Sequence, residues 1–478
     1  MKSMNTVQII AKNTGVSGIS QIISSILGFF LLIYIARYFG EVEFGKYSFA
    51  ISFTALFIVF ADIGISGLIT REIARNKKLA SKYLTNVSAV KLILSFLAFG
   101  LITLTINLMN YSQDTTCAVY LFGIYTILTS FTLMFGAIFQ AFERMEYAAT
   151  VIIAKQIILF LTALYILFSG HGLIVLAYVY IFSEIISVTL SFIIVLLKIE
   201  KPKLIIDFSL WKKLIIESIP FSLNALFAML FFKIDTVMLS VFKDDFAVGI
   251  YNAAYTPLFA LGVVPTFFIS AIYPVMSRYF ISSKDSLKTF TVLASRYMAI
   301  IGFPISIGCF ILADQFIKLF YGNQYSDSVV AFQILALFIP IRFVSSITGT
   351  LLTSINKQGI RAVSVGFSAF FNIILNLVMI PYLSYIGASI ATVLSELFLY
   401  FIFIYFINRQ YKRLELHKYF IKPIIASLIM GGFVFCFIKI NLFLLITLSG
   451  LVYFMLLFLL KTFTQEDKNV LKQVVERS

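Results

Sequence analysis

The chain reads as an all-α polytopic membrane protein of about 14 transmembrane helices, two six-helix lobes followed by two C-terminal helices. Its 478 residues are 60% hydrophobic and only 12% charged. Mean hydropathy is +0.99, and apolar content is well above the roughly 45–50% of a soluble domain. The apolar stretches run about 20 residues or more between short polar links, which suits spanning helices and not the ~10-residue alternating strands of a barrel. Basic residues gather in every second link, the pattern that orients a membrane chain.

In order, runs of spanning length fall at roughly 14–36, 45–69, 84–108, 117–140, 148–169, 172–197, 214–241, 247–277, 292–312, 327–352, 362–381, 385–407, 420–438 and 441–460. The opening MKSMNTVQIIAKNTGVSGISQ is amphipathic and enters the first run without a small-residue cleavage site, so that helix is expected to stay in the mature protein. An even count of spans puts both termini on one side. That side collects 29 Lys and Arg, from Lys2 and Lys12 through Arg71, Arg144, Lys155, Lys198, Lys203, Arg278, Arg296, Lys357, Arg361 and Arg409 to Lys461, Lys468, Lys472 and Arg477. The intervening links supply 5: Arg37, Lys46, Lys243, Lys318 and Lys439. The positive-inside rule then places both termini in the cytoplasm of a cell that carries this protein in its inner or plasma membrane.

No link is long enough to fold as a domain. The widest, at about 197–213 and 407–420, divide the chain into 1–200, 201–410 and 411–478, that is, six spans, six spans and two with a tail. Internal repetition supports the division. Phe44-Gly45-Lys46-Tyr47-Ser48-Phe49-Ala50 opens the second span and Val248-Gly249-Ile250-Tyr251-Asn252-Ala253-Ala254 the eighth, both reading apolar-Gly-x-Tyr-x-x-Ala. Ser183-Glu184 lies inside the sixth span and Ser395-Glu396 inside the twelfth. Both matches link span n to span n+6, as in transporters built from repeats.

Soluble-type catalysis has no foothold, so no enzyme is expected. The chain lacks GxxxxGK[ST], HExxH and GxSxG, and its two histidines, His171 and His417, fall at helix ends or in links. No metal site or cofactor is expected. Cys117, Cys309 and Cys436 are widely spaced in or beside apolar runs and read as packing residues. The net charge of +15 is a topology signal rather than a nucleic-acid footprint.

Polar side chains inside spans are where function is sought, because lipid penalises a charge by roughly 2.5–3.5 kcal/mol on insertion scales. In the seventh span Glu217, Asn224 and Asp235 lie within about 20° of one line at 100° per residue. They spread over roughly 27 Å, too far for one compact ion site. Pro220 should bend or break the helix where this stripe begins. Asp235 has two readings: a proton or Na⁺ coupling site, or a permanent ion pair with a basic neighbour. Glu217 reads as a loading or gating residue at the cytoplasmic mouth. Glu184 and Glu396 are either cation sites or partners of Arg342 and the lysines.

The first span carries Asn13, Ser17, Ser20, Ser24 and Gly28, a stripe of small polar side chains that either lines a cavity or lets helices pack closely, and Asn13 with Gln21 favours the cavity. Arg342, Ser346, Gly349 and Thr353 share a line in the tenth span, just after Pro340. Arg342 is the residue hardest to explain by packing. Lys91 and Lys233 either face a lumen or snorkel to a surface. Arg342, Lys91, Lys233, Asn224, Asn13 and Gln21 are thus the candidate cavity and substrate-binding residues, and Asp235, Glu217, Glu184 and Glu396 the candidate coupling or gating residues.

Asp62-Ile63-Gly64-Ile65-Ser66-Gly67 followed by Thr70-Arg71-Glu72-Ile73-Ala74-Arg75 resembles the second-span motif of the polysaccharide flippases. These are the O-antigen-type members of the multidrug/oligosaccharidyl-lipid/polysaccharide (MOP) exporter superfamily. Ile234-Asp235-Thr236-Val237-Met238-Leu239 with Gly249-Ile250-Tyr251-Asn252-Ala253-Ala254-Tyr255 resembles the matching motif of the second lobe, and the similarity extends to about residue 407. The signature of the lipid II flippase branch is missing. The resemblance implies a V-shaped pair of lobes with spans one and seven lining a central cavity. It also implies a cargo of oligosaccharide on a polyprenyl phosphate or diphosphate, turned from the cytoplasmic to the outer leaflet. Implied partners are membrane lipids and, as candidates, glycosyltransferases or a polysaccharide polymerase; none is a nucleic acid. A drug/cation antiporter of the same superfamily and a membrane scaffold for glycosyltransferases are the rival functions.

Overall fold

Helix α1 (Thr6–Asp62) carries the first two predicted spans, and Gly40 divides it. With φ 71° and ψ 178° that residue sits where a side chain would be strained, so glycine lets the chain end one helix and begin the next without a loop. The structure is a computed structural model that describes residues 6–202 and 206–462, with side chains from residue 12 onward except 14. Lys2, Lys203, Lys468, Lys472 and Arg477 of the basic count lie outside the described residues.

The helices that follow are α2 (Ile65–Arg75), α3 (Ala80–Leu108), α4 (Gln113–Ala141), α5 (Met145–Phe168), α6 (Leu173–Lys198) and α7 (Phe208–Phe242). Next come α8 (Asp245–Ala260), α9 (Val263–Ser282), α10 (Lys284–Ile311), α11 (Ala313–Tyr321), α12 (Ser328–Ala336) and α13 (Phe338–Ser354). The chain ends in α14 (Gln358–Gln410), α15 (Ile421–Cys436) and α16 (Leu442–Leu459). Among the described residues twelve helical stretches are long and apolar enough to cross a membrane. Two of them, α1 and α14, are each a pair of helices, the second pair meeting at Ser384 (φ 50°, ψ −134°) after Pro381. Fourteen spanning helices result among the described residues, as the sequence predicts, and α14 doubles back tightly enough that a Cβ on Gly387 would lie 2.7 Å from the Met379 carbonyl oxygen.

Three boundaries differ from the sequence reading. The second span was expected to run to residue 69, but helix α1 stops at Asp62 and α2 restarts after Ile63 and Gly64, both with positive φ. The eighth span is broken between α8 and α9. Helix α7 runs through Pro220 without interruption, so the expected break is absent. Proline costs a helix one hydrogen bond, and the long apolar flanks on either side hold it.

Contacts group the described chain into two units, residues 1–253 with 365–388 and residues 254–364 with 389–478. In the first, α4 packs on α6, and α1 on α4, α5 and α7. Helix α2 presents Ile65, Leu68, Ile69 and Ile73, an i, i+3, i+4, i+8 face, to Val87 and Val90 of α3, Met134 and Ile138 of α4, and Leu214 of α7. Lipid is as apolar as these side chains, so dispersion and fit hold the helices together more than escape from water does. The start of α7 is latched to α3: Asn86 Oδ1 accepts from Trp211 Nε1 (2.9 Å) and from the Asp207 amide (2.8 Å). Asp207 caps α7 and pairs with Lys82 at 2.5 Å. That Lys82 bond holds its carboxyl below the usual range.

In the second unit α10 packs on α13 and α15, and α15 on α16. Tyr453 of α16 donates to the Ile300 carbonyl of α10 (2.8 Å), and Gly431 of α15 seats against Ile307 so closely that a Cβ would stand 2.6 Å from it. The last two helices are therefore built onto α10.

Candidate functional site

Helix α7 supplies four of the predicted residues, and the three of its polar stripe have different surroundings. Glu217 pairs with Arg71 Nη2 of α2 at 2.8 Å, with Lys213 one turn away at 3.9 Å, and both partners of the first pair are more than a third exposed. Asn224 is exposed. Asp235 is 3% exposed. The three do not form one continuous wall, because the helix changes neighbours along its length. At its start α7 meets α2, where Gly64 and Gly67 allow the backbone of Ser222 and the ring of Phe221 to approach.

Around Asp235 the first unit gathers neutral donors. Tyr251 of α8 donates its hydroxyl to Asp235 Oδ2 (2.8 Å), and Asn376 Nδ2 of α14 to Oδ1 (2.5 Å). Asn372 Oδ1 accepts from Asn376 (3.0 Å), and Thr236 and Asn252 bond to each other beside the carboxylate. Asn376 Oδ1 is buried without a hydrogen-bond partner. A carboxylate with a spare amide oxygen beside it is a hard-oxygen environment that suits a proton or a small cation. Sequence reading missed Asn372 and Asn376, although their i, i+4 spacing in an apolar span was the available signal.

Lys91 does not snorkel. It is fully buried, pairs with Asp62 at 2.5 Å and donates to the Ser130 carbonyl at 2.5 Å, while Asp62 also accepts from Ser66 at 2.6 Å. Burial withdraws both charges from water, so each requires the other. Lys233 differs: half-buried on α7, it has no hydrogen-bond or ion-pair partner among the described residues. Glu184 of α6 is fully buried, accepts from Thr132 of α4 (2.6 Å) and pairs with Lys155 of α5. Lys155 was counted with a basic link in the sequence reading; it belongs to a helix interior, because its partner lies there.

The second unit holds Arg342 of α13, paired with Glu396 of α14 at 3.5 Å; Ser345 also donates to that carboxylate. Arg342 is 28% exposed and Glu396 is not exposed at all. Along the same face of α13, Arg361 reaches Thr353 Oγ1 (3.2 Å), and its Nε lies 3.4 Å from where a Cβ on Gly349 would be. The Arg342, Ser346, Gly349, Thr353 line read from sequence thus carries a second guanidinium that was assigned to a link. Planar guanidinium forks such as these are the side chains best shaped for a phosphate or diphosphate.

Both repeat-related glutamates are built alike. Glu184 takes a hydroxyl from Thr132 of the fourth span and Glu396 one from Ser345 of the tenth. The basic partner comes from α5 in one case and α13 in the other. On the first span Asn13 Nδ2 donates to the Glu143 carbonyl (3.0 Å) of the α4–α5 turn, Ser20 is buried, and Gln21 is exposed. The three cysteines are free.

The family model described as polysaccharide biosynthesis protein matches residues 10–280, and the MatE model matches residues 220–378. An uncharacterized membrane protein of Methanocaldococcus jannaschii is 22% identical, covering 96% of this chain and 97% of its own. The probable low-salt glycan biosynthesis flippase Agl15 of Haloferax volcanii is 22% identical over 79% of each chain. Among solved structures the lipid II flippase MurJ, in an inward closed conformation, superposes with a TM-score of 0.75 at 17% identity, covering 92% of this chain and 97% of that one. The first family model alone spans more than half of the sequence. The chain belongs to the polysaccharide biosynthesis protein family, within the multidrug/oligosaccharidyl-lipid/polysaccharide exporter superfamily.

Proposed function

We propose that this protein is a flippase that carries oligosaccharide linked to a polyprenyl phosphate or diphosphate from the cytoplasmic to the outer leaflet, for cell-surface polysaccharide or glycan assembly. The observation that carries the reading is the face of α13 inside the second unit, where Arg342 pairs with Glu396 and Arg361 reaches Thr353 further along. A desolvated anion needs charge-assisted donors, and guanidinium forks supply them. Lys233 on α7, without a partner among the described residues, is a further anion-binding group. The name of Agl15 supports the cargo class.

Transport proceeds by alternating access of two sequence halves, 1–200 and 201–410, with 411–478 as an addition, and both termini face the cytoplasm of the cell membrane. Asp235 couples the cycle by taking up a proton or Na⁺ on one side and releasing it on the other. Glycosyltransferases or a polymerase are the proposed partners. The test is reconstitution: liposomes with lipid-linked oligosaccharide in the inner leaflet should show lectin-accessible glycan outside only when the protein is present. Absence of protein-dependent exposure with any lipid-linked glycan tried overturns the reading. The MatE match at 220–378 favours a second reading, a drug/cation antiporter. That reading predicts export of cationic dyes by the same vesicles.

A further inference from the structure

Within the second unit, residues 411–420, which join α14 to α15, are tied to α10 at two places. At the start of α10 the Tyr411 hydroxyl donates to the Lys284 carbonyl and Lys412 pairs with Asp285. Further along, the Phe420 ring meets Phe303 at 6.1 Å. Between these ties lies a cavity of about 210 Å³. Lys288, Thr289, Val292, Leu293 and Arg296, which share one face of α10, form one wall and Tyr419 the other. At ~30 Å³ for each liquid water the space equals about seven, enough for a phosphate group with its nearest waters.

Every polar side chain on the walls can donate. Lys288 and Arg296 are cations, Thr289 and Tyr419 carry hydroxyls, and among the described residues no carboxylate lines the cavity. The acids beside it in sequence are engaged elsewhere, Asp285 by Lys412 and Glu415 by Lys418. The half-buried Lys288 ammonium makes no hydrogen bond or ion pair among the described residues. Arg296 is 4% exposed, and its guanidinium carbon lies 5.7 Å from the centre of the Tyr297 ring. A guanidinium set in a wall and stacked on a ring keeps its orientation, so little freedom remains to be lost when it binds. Val292 and Leu293 are half-buried and apolar, which strengthens charge-assisted bonds made beside them. A carboxylate offers two oxygens in one plane; donors on two walls match an anion whose oxygens point several ways.

We propose that this cavity is a phosphate site, filled by the headgroup of an anionic phospholipid in the adjoining leaflet or by a phosphate from solution. It shares no residue with the α13 face, and it rests on the flippase reading only for the side it faces, the cytoplasmic one. The basic residues around it, Lys284, Arg413, Lys418 and Lys422, attract anionic lipid to that surface. A bound phosphate bridges α10 and Tyr419, and so fixes the 411–420 segment and the start of α15 against α10.

Acylation of lysine amines, followed peptide by peptide by mass spectrometry on the full-length protein in nanodiscs, tests the site, because a phosphate on Lys288 shields its amine. Adding phosphatidylglycerol to phosphatidylcholine discs should slow Lys288 at least about fivefold, as expected for a mostly filled site. Lys418 on the same surface should slow less than about twofold, the effect of diffuse charge alone. Inorganic phosphate added to pure phosphatidylcholine discs separates the sources: protection by it assigns the site to phosphate in solution, and protection by phosphatidylglycerol alone assigns it to a headgroup. Thr289 is exposed, so Thr289→Glu sets a carboxylate in the cavity with the packing intact, and it should abolish the protection. Arg296→Gln should do the same, and the exposed Thr289 position carries the test if loss of the buried guanidinium unfolds the protein. Failure of both probes to protect Lys288, equal slowing of Lys288 and Lys418, or protection that survives Thr289→Glu overturns the proposal. The labelling is read without transport, so it fails separately from the flippase reading.

Discussion

Gly45 lies against the carbonyl oxygen of Asp245 and Gly249 against that of Glu41, so the two copies of the apolar-Gly-x-Tyr motif cross one another reciprocally. The same sequence offset relates both glycines and both carbonyls, which makes the contact a pseudo-two-fold one. A Cβ would stand 1.8 Å from the oxygen at Gly45 and 1.9 Å at Gly249, with backbone and not a flexible side chain on the other side. Only glycine permits this approach. Tyrosines two residues on use their hydroxyls in both copies, Tyr47 toward Tyr180 and Tyr251 toward Asp235.

Gly45→Ala and Gly249→Ala should each part this crossing and destabilise by about 1–3 kcal/mol or more, the range for overpacking. Because either one separates both contacts, the double variant should cost clearly less than the sum. Thermal unfolding in detergent of the four proteins measures the coupling; strict additivity would show that the two contacts are independent.

Arg342→Ala strands the buried Glu396 and should cost toward the lower end of about 3–5 kcal/mol, since Arg342 is partly exposed. Adding Glu396→Gln removes the stranded charge. The double variant should regain most of the stability yet remain unable to expose lipid-linked glycan, and Arg342→Lys should transport partially. A stable double variant with wild-type transport removes Arg342 from the mechanism.

Asp235→Asn separates coupling from structure. Its hydrogen-bonding neighbours Tyr251 and Asn376 are neutral donors, so an amide keeps one bond and opposes the other, costing about 1–3 kcal/mol. Transport should persist at a basal rate and lose its response to an imposed Na⁺ or proton gradient. A variant that keeps the full gradient response excludes Asp235 from coupling.

Trp211, the one tryptophan of the chain, reports the latch between α3 and α7. Lys82 depresses the Asp207 carboxyl, so the stabilising ionised form is fully present above its unfolded value near about 3.9 and is lost only as pH falls below it. Trp211 emission should stay constant from about pH 5 to about pH 8 and change in acid. In Asp207→Asn the altered emission should be present throughout. A neutral-range transition in the wild type would contradict the assignment.

How much of this was legible follows from what sets each feature. Lipid offers no hydrogen bonds, so a spanning segment must be helical and about 20 residues long whatever its neighbours. Class, fourteen helices and the n to n+6 repeat were therefore written in the sequence, as was the Arg342, Ser346, Gly349, Thr353 face, since helical angle is local. The break at Ile63–Gly64 was less legible, because an apolar run does not record where its backbone turns left-handed. Partner choice was decided by tertiary structure alone. Asp235 meets Tyr251 of the next helix and Asn376 of a helix distant in sequence, Glu184 meets Lys155, and Arg361 reaches Thr353 of α13, each across a boundary between helices. An angle around one helix says which residues share a face, and only packing says which other helix that face meets.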